Sequence, residues 1–240
     1  MGAASFSSAD ALGYALASRT ERKLERRTRR QHMIDSLPQA VLEAADISAV
    51  SQLVVRERVS RDFGLWEQMR DCFYDDSVVR ISWINTSGPE FVRRSKEMAE
   101  RNVKASHRLG PILVTLAGNR AIAQLRAMID IPFTLEGVEV MMCSHAHLLF
   151  RAERQEGVWR LSALDAVYLR DEIAPVIPGQ TVAVDPEAIK AFRPTYRLLS
   201  YCLTLGGYPV RNDLAGVDRP DLVDALVREI YGWAGLAPPR

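Results

Sequence analysis

Apolar positions recur along this chain at two different periods, and the change from one to the other divides it. In DISAVSQLVVRERVSRDF (residues 46–63), Ile47, Val50, Leu53, Val54 and Phe63 fall at helical spacing among charged residues. This predicts an amphipathic helix with Asp46 as its N-cap. Gly64 interrupts it, and GLWEQMRDCF predicts a second, shorter helix. SVVRISW (77–83) alternates and is β-branched, so a strand is expected, with Asp75 and Asp76 in a polar turn leading into it. GPEFVRRSKEMAERNVKAS (88–106) predicts a helix with Pro89 in its first turn.

After residue 110 the period shortens to two. Four strand-like runs follow: PILVTLAG, RAIAQLRAMIDIPF, VEVMMCSHAHLLFRAER and VWRLSALDAVYLRD. They are separated by the turn-like GN, TLEG and QEG. Helices followed by a meander of long strands is an α+β pattern. The expected architecture is a curved antiparallel sheet closed on one side by helices, a cone with a pocket at its wide end. Residues 1–45 are expected to form a basic helical extension, 46–180 the α+β barrel domain, and 181–240, after the proline-rich APVIPGQTVAVDP, a helical C-terminal arm.

Charge and composition narrow the function classes. A formal net charge of +1 argues against nucleic acid as the main partner. The arginine-rich RTERKLERRTRR (19–30) is interrupted by Glu21 and Glu25 at helical spacing and reads as a solvated helix with i,i+4 ion pairs. No apolar run approaches the roughly 18 residues a membrane span needs, and the first twenty residues lack the pattern of a secretory signal. Cys72, Cys143 and Cys202 lie far apart with no CxxC spacing, as expected for free thiols in a reducing, cytoplasmic setting. GxGxxG, Walker and HExxH motifs are absent.

Four short pieces carry a resemblance. RDFGLWEQM places Asp62 four residues before Trp66; RISW forms the first strand; SHRLG places His107 three residues before Gly110; GVWRLSAL forms the last strand. In this order, over about residues 46–175, they resemble the SnoaL-like branch of the nuclear transport factor 2 superfamily, and within it scytalone dehydratase, lindane dehydrochlorinase and the diarylpropane γ-formaldehyde lyases. The resemblance implies the cone fold and a catalytic dyad of His107 and Asp62, with no metal or cofactor. It also implies a homo-oligomer, a trimer rather than a dimer. The residues suit that chemistry on their own: imidazole is the usual base near neutral pH, and a carboxylate on its far nitrogen fixes the tautomer. The other readings are an ordinary strand residue for His107 and a helix-end cap for Asp62. Three positions depart from scytalone dehydratase, which has tyrosines where this chain has Arg61 and Trp83, and a histidine at about Ile129.

Other groups are candidates to line the pocket. Tyr74, Trp83, Phe133 and Tyr168 make an aromatic wall in one reading and ordinary core in the other. Arg126 alternates with Gln124 and Met128, either as a buried cation for an oxyanion or as an exposed partner of Asp130. His145 and His147 point to one face of their strand with Cys143. They are open to three roles: pocket donor, metal ligand, or packing at a helix or subunit interface. The leading expectation is a cofactor-free lyase acting on a small hydrophobic, aromatic, hydroxylated substrate, releasing water or formaldehyde. The alternatives are an isomerase or polyketide cyclase, and a non-catalytic ligand-binding or dioxygenase β-subunit-like module.

Overall fold

The structure, a computed structural model, describes residues 38–101 and 104–239. The basic stretch 19–30, and most of the expected N-terminal extension, lie outside the described residues. The chain divides into two compact units between Asp46 and Ile47. Of the first, only residues 38–46 are described, the opening turns of helix α1 (Gln39–Asp62), where Gln39 donates to Glu43 at 3.0 Å.

Helix α1 corrects one expectation. Asp46 is not an N-cap, because the helix starts after Pro38 and passes through Asp46 without a break. No glycine or proline interrupts residues 39–62, so the backbone has no reason to stop there. Its buried face carries Val50, Leu53 and Val54, but also Glu57, Arg58 and Ser60, whereas Phe63 is 77% exposed. After α2 (Trp66–Asp71), strand β1 (Phe73–Ile81) takes in Asp75 and Asp76, which therefore lie in an irregular strand and not in a turn. β1 turns back at Ser82 and Trp83 into β2 (Ile84–Ser87), a hairpin the sequence reading missed. Ser87 caps α3 (Gly88–Glu100), its hydroxyl accepting from the Glu90 N–H at 3.4 Å. This helix is shorter than expected, since Ser106 already belongs to β3 (Ser106–Leu109).

β4 (Leu113–Ala117), β5 (Arg120–Leu135), β6 (Val138–Gln155) and β7 (Val158–Pro175) form the anticipated meander. The β5–β6 and β6–β7 turns are Glu136-Gly137 and Glu156-Gly157, all four with positive φ. These are the two-residue turns whose twist matches that of the flanking strands. The sheet order is β2-β1-β7-β6-β5-β3, with β4 also on β5 and β1 parallel to β7. It is a mixed α+β sheet. β3 and β4 share one edge of β5, and the chain passes between them at Gly110, whose N–H donates to the Arg126 carbonyl at 2.8 Å. A Cβ there would lie 3.1 Å from that oxygen, which accounts for the glycine.

Inward residues of the sheet, such as Ala127, Leu148, Phe150 and Leu164, build the main core with α1, α3 and α5 (Arg197–Leu205). A smaller cluster, including Ile122, Leu149 and Val167, packs on the outer face against Ile230 of α6 (Pro220–Trp233). The short α4 (Pro186–Ile189) lies between β7 and α5 in the chain. Asp171 fixes the start of α5 by accepting from the N–H groups of Leu198 and Leu199 at 2.7 and 2.8 Å.

Candidate functional site

α1 ends at Asp62, and β3 begins at the residue before His107. The Nδ1 of His107 lies 2.6 Å from Asp62 Oδ1, and its backbone N–H donates to Oδ2 at 2.7 Å. The imidazole is only 3% exposed and the carboxylate 15%. Burial is the main influence on His107. Together with the nearby guanidinium groups of Arg58 and Arg61 it outweighs the hydrogen bond to Asp62, bringing the ring pKa down to about 4. Burial pushes the Asp62 carboxyl up, but the hydrogen bonds and charge of His107, with Arg61, hold it below its ordinary value. Both shifts agree on one state near pH 7: a neutral ring whose Nδ1–H donates to an ionised Asp62, leaving the Nε2 lone pair free to accept.

The ring lines a cavity of about 860 Å3 when the open space at its entrance is counted. The walls are mostly apolar: Ile129, Ile131 and Phe133 from β5, Leu148 from β6, Leu164 and Tyr168 from β7, and Trp83 from the β1–β2 turn. Helix α5 and the residues after it close another side with Leu199, Cys202, Leu203 and Tyr208. Polar atoms are few. Arg58 Nη1 approaches His107 Nε2 at 3.4 Å, while its other donors are held by the buried Glu57. Arg61 lies on the same wall.

The candidate residues separate into two groups. His107, Trp83, Phe133 and Tyr168 line this cavity, with Asp62 behind His107. The Tyr168 hydroxyl accepts from the Ser82 N–H at 2.8 Å and is engaged with the protein. Tyr74, Arg126 and His145 are corrections, since none of them lines the cavity. The Tyr74 hydroxyl sits by the β6–β7 turn, accepting from Gln155 N–H at 3.1 Å and lying 3.2 Å from the Val158 carbonyl. Arg126 is exposed, because Ile129, Ile131 and Phe133 fill the inward positions of β5 and even-numbered residues face outward. Asp130 pairs with Arg108 instead, at 2.6 Å. His145 faces outward as well, its Nε2 2.9 Å from Glu172 Oε1 and 3.5 Å from Cys143 Sγ. The donor atoms of Cys143, His145 and Glu172 lie within 4.8 Å of one another, so these three could hold a cation. His147 turns instead to Gln124, at 3.1 Å.

Arg58 and Tyr208 escaped the sequence reading, and Arg61 entered it only as the residue that replaces a tyrosine of scytalone dehydratase. Arg58 and Arg61 stand four and one residues before Asp62, so Arg58 shares its helical face, a spacing that carried the signal. Tyr208 lies 101 residues after His107 in an arm with no motif, and nothing local pointed to it.

A mixed, curved sheet with helices on its inner face, and a buried histidine–carboxylate pair whose histidine lines an apolar cavity, define the class. Residues 42–165 match the SnoaL-like domain family, and the chain belongs to it. It is similar to Pea pathogenicity protein 2 of Fusarium vanettenii, with 27% identity over 72% of this chain and 78% of that protein. It is also similar to a PEP2-like protein of the same fungus, with 26% identity over 83% and 93%. Among solved structures, the hexachlorocyclohexane dehydrochlorinase LinA-type3 of Novosphingobium barchaimii LL02 shares the fold. It superposes with a TM-score of 0.51 at 16% identity, covering 61% of this chain and 100% of that one. Among the described residues, no helix is long and apolar enough to cross a membrane.

Proposed function

We propose that this protein is a cofactor-independent lyase acting on a small, hydrophobic, aromatic molecule that carries a hydroxyl leaving group. The observation that carries the reading is the 2.6 Å contact between Asp62 and His107 Nδ1, which leaves Nε2 as a neutral acceptor at an apolar cavity. His107 is the general base and Asp62 its positioning partner. In the dehydration, Nε2 takes a proton from the carbon beside the one bearing oxygen. The electron pair forms the new C=C bond, the C–O bond breaks, and the imidazolium returns its proton to the departing hydroxide, which leaves as water. In the formaldehyde-releasing variant the proton comes from a terminal hydroxyl whose oxygen forms the C=O bond of formaldehyde; the C–C bond breaks in place of the C–H bond, its electron pair forms the new C=C bond, and the hydroxide again leaves as water. The 3.4 Å approach of Arg58 is the weakest of its contacts, so a substrate proton can displace it from Nε2 while Glu57 keeps the guanidinium in place. A positioned base contributes roughly 10²–10⁴ in rate, and the apolar enclosure and local charges supply the remainder.

The test is incubation of the purified protein with a panel of aryl alcohols and diols, read by mass spectrometry beside His107→Ala. Loss of water or formaldehyde that disappears in the variant supports the lyase. A product of unchanged mass points instead to an isomerase, and turnover that survives in His107→Ala removes His107 as the base.

A further inference from the structure

The carboxylates near the base are already engaged. Glu57 is taken by Arg58, and Asp62 by both N–H groups of His107. Arg61 is left over. Among the described residues it makes no ion pair; its Nη2 reaches only Met98 Sδ at 4.0 Å, and its guanidinium stands 6.0 Å from the centre of the Phe91 ring. Its Nε is buried without a hydrogen-bond partner. A second polar atom of a residue that lines the cavity, the Tyr208 hydroxyl, is buried and equally without a partner. Elsewhere the lining is almost entirely hydrocarbon and aromatic.

Burying a cation without a directly paired carboxylate costs several kcal/mol, and an unsatisfied polar group adds to that. Folded proteins tolerate such groups where a ligand completes them. We propose that the cavity takes an organic oxyanion, a flat apolar body bearing one carboxylate or phenolate-type oxygen that Arg61 binds, with the Tyr208 hydroxyl as a second donor. This names the ligand class of the same cavity and rests on its being the ligand site, but not on the chemistry of the dyad. Burial, followed by the charge of Arg58, brings the Arg61 guanidinium down to about 10, against the opposing charges of Glu57 and Asp62. At neutral pH it remains protonated, a strained cation for which an anion is the direct remedy. In turnover the same group would face the negative charge that proton transfer to His107 creates on a substrate.

The test compares 2-naphthoate with 2-naphthamide, a matched anionic and neutral pair, by titration calorimetry on the full chain at pH 7. The expected result is naphthoate binding at least tenfold tighter. Arg61→Met should remove that preference and keep naphthamide binding, and Arg61→Lys should keep part of it. Should Arg61→Met not fold, Arg61→Gln replaces it. His107→Ala should keep the anion preference, because the neutral ring supplies no charge. A failure of the base assignment, seen in turnover, is thereby separable from a failure of the anion subsite, seen in binding. Equal affinities for the pair, no binding of either compound, or a preference that survives loss of Arg61 would each overturn the proposal.

Discussion

The Asp62 carboxylate serves two donors of one residue, the ring nitrogen of His107 at 2.6 Å and its backbone N–H at 2.7 Å. One side chain thus fixes both the tautomer of the base and the position at which β3 leaves its preceding loop. Asp62→Asn keeps the shape but offers a single acceptor oxygen to two donors. The expected outcome is a mixture of ring tautomers by 15N NMR, where the native protein shows a protonated Nδ1 and a bare Nε2. Turnover of a lyase substrate should fall roughly 10²–10⁴-fold. A protonated Nε2 in the native protein would contradict the base assignment.

Acid sensitivity follows from the buried ring. The His107 pKa is lowered from 6.5 to about 4 in the folded state, so between those values the unfolded chain binds more protons than the native one. Stability from this residue is present in full above pH 6.5 and is lost as pH falls from there toward 4, about 3 kcal/mol in all. Asp62, whose carboxyl is held below its ordinary value, acts in a lower window. His147 is lowered by burial and by Arg126, and adds to the same trend as His107. Urea denaturation from pH 7 to 4.5 should therefore show a steeper loss for the native protein than for His107→Gln. Equal slopes would count against a buried neutral ring.

The Glu57–Arg58 pair is buried on both sides, 0% and 5% exposed. Glu57→Gln leaves the Arg58 charge inside without a carboxylate and should cost about 3–5 kcal/mol. Replacing both residues by methionine removes the stranded charge, so the double variant should be more stable than Glu57→Gln. Chemical denaturation of both proteins checks this, and a double variant less stable than the single would contradict it.

Tyr168 is 2% exposed, and its hydroxyl accepts from the Ser82 N–H in the β1–β2 turn. Tyr168→Phe strands that buried donor and should lower stability by about 1–3 kcal/mol. The naphthamide affinity should change little, because this hydroxyl faces protein. A large change in affinity at unchanged stability would instead make Tyr168 a ligand contact.

Much of this arrangement was legible in the sequence. The period-two runs and their glycine turns marked β4 to β7, because strands with one buried face must alternate. Asp62 and His107 were legible as a pair only through a family pattern, as they lie 45 residues apart and no local rule joins a helix end to a strand start. Arg126 and His145 were misplaced for a related reason: alternation shows that two residues share a face of a strand but not which face looks inward. That was settled by α1 and α3 packing on one side of the sheet and α6 on the other.

The sequence by itself determined most of the elements, though not β2 or the start of α1, since periodicity, turn glycines and helix breakers act within a few residues. The tertiary structure alone decided which polar groups meet. It brought Tyr208 of the C-terminal arm to the lining of the cavity, and left Arg61 without an ion pair among the described residues by giving both nearby carboxylates to other donors. Pairing of that kind depends on distance in space, on burial and on competition for partners, and none of these is local to the chain.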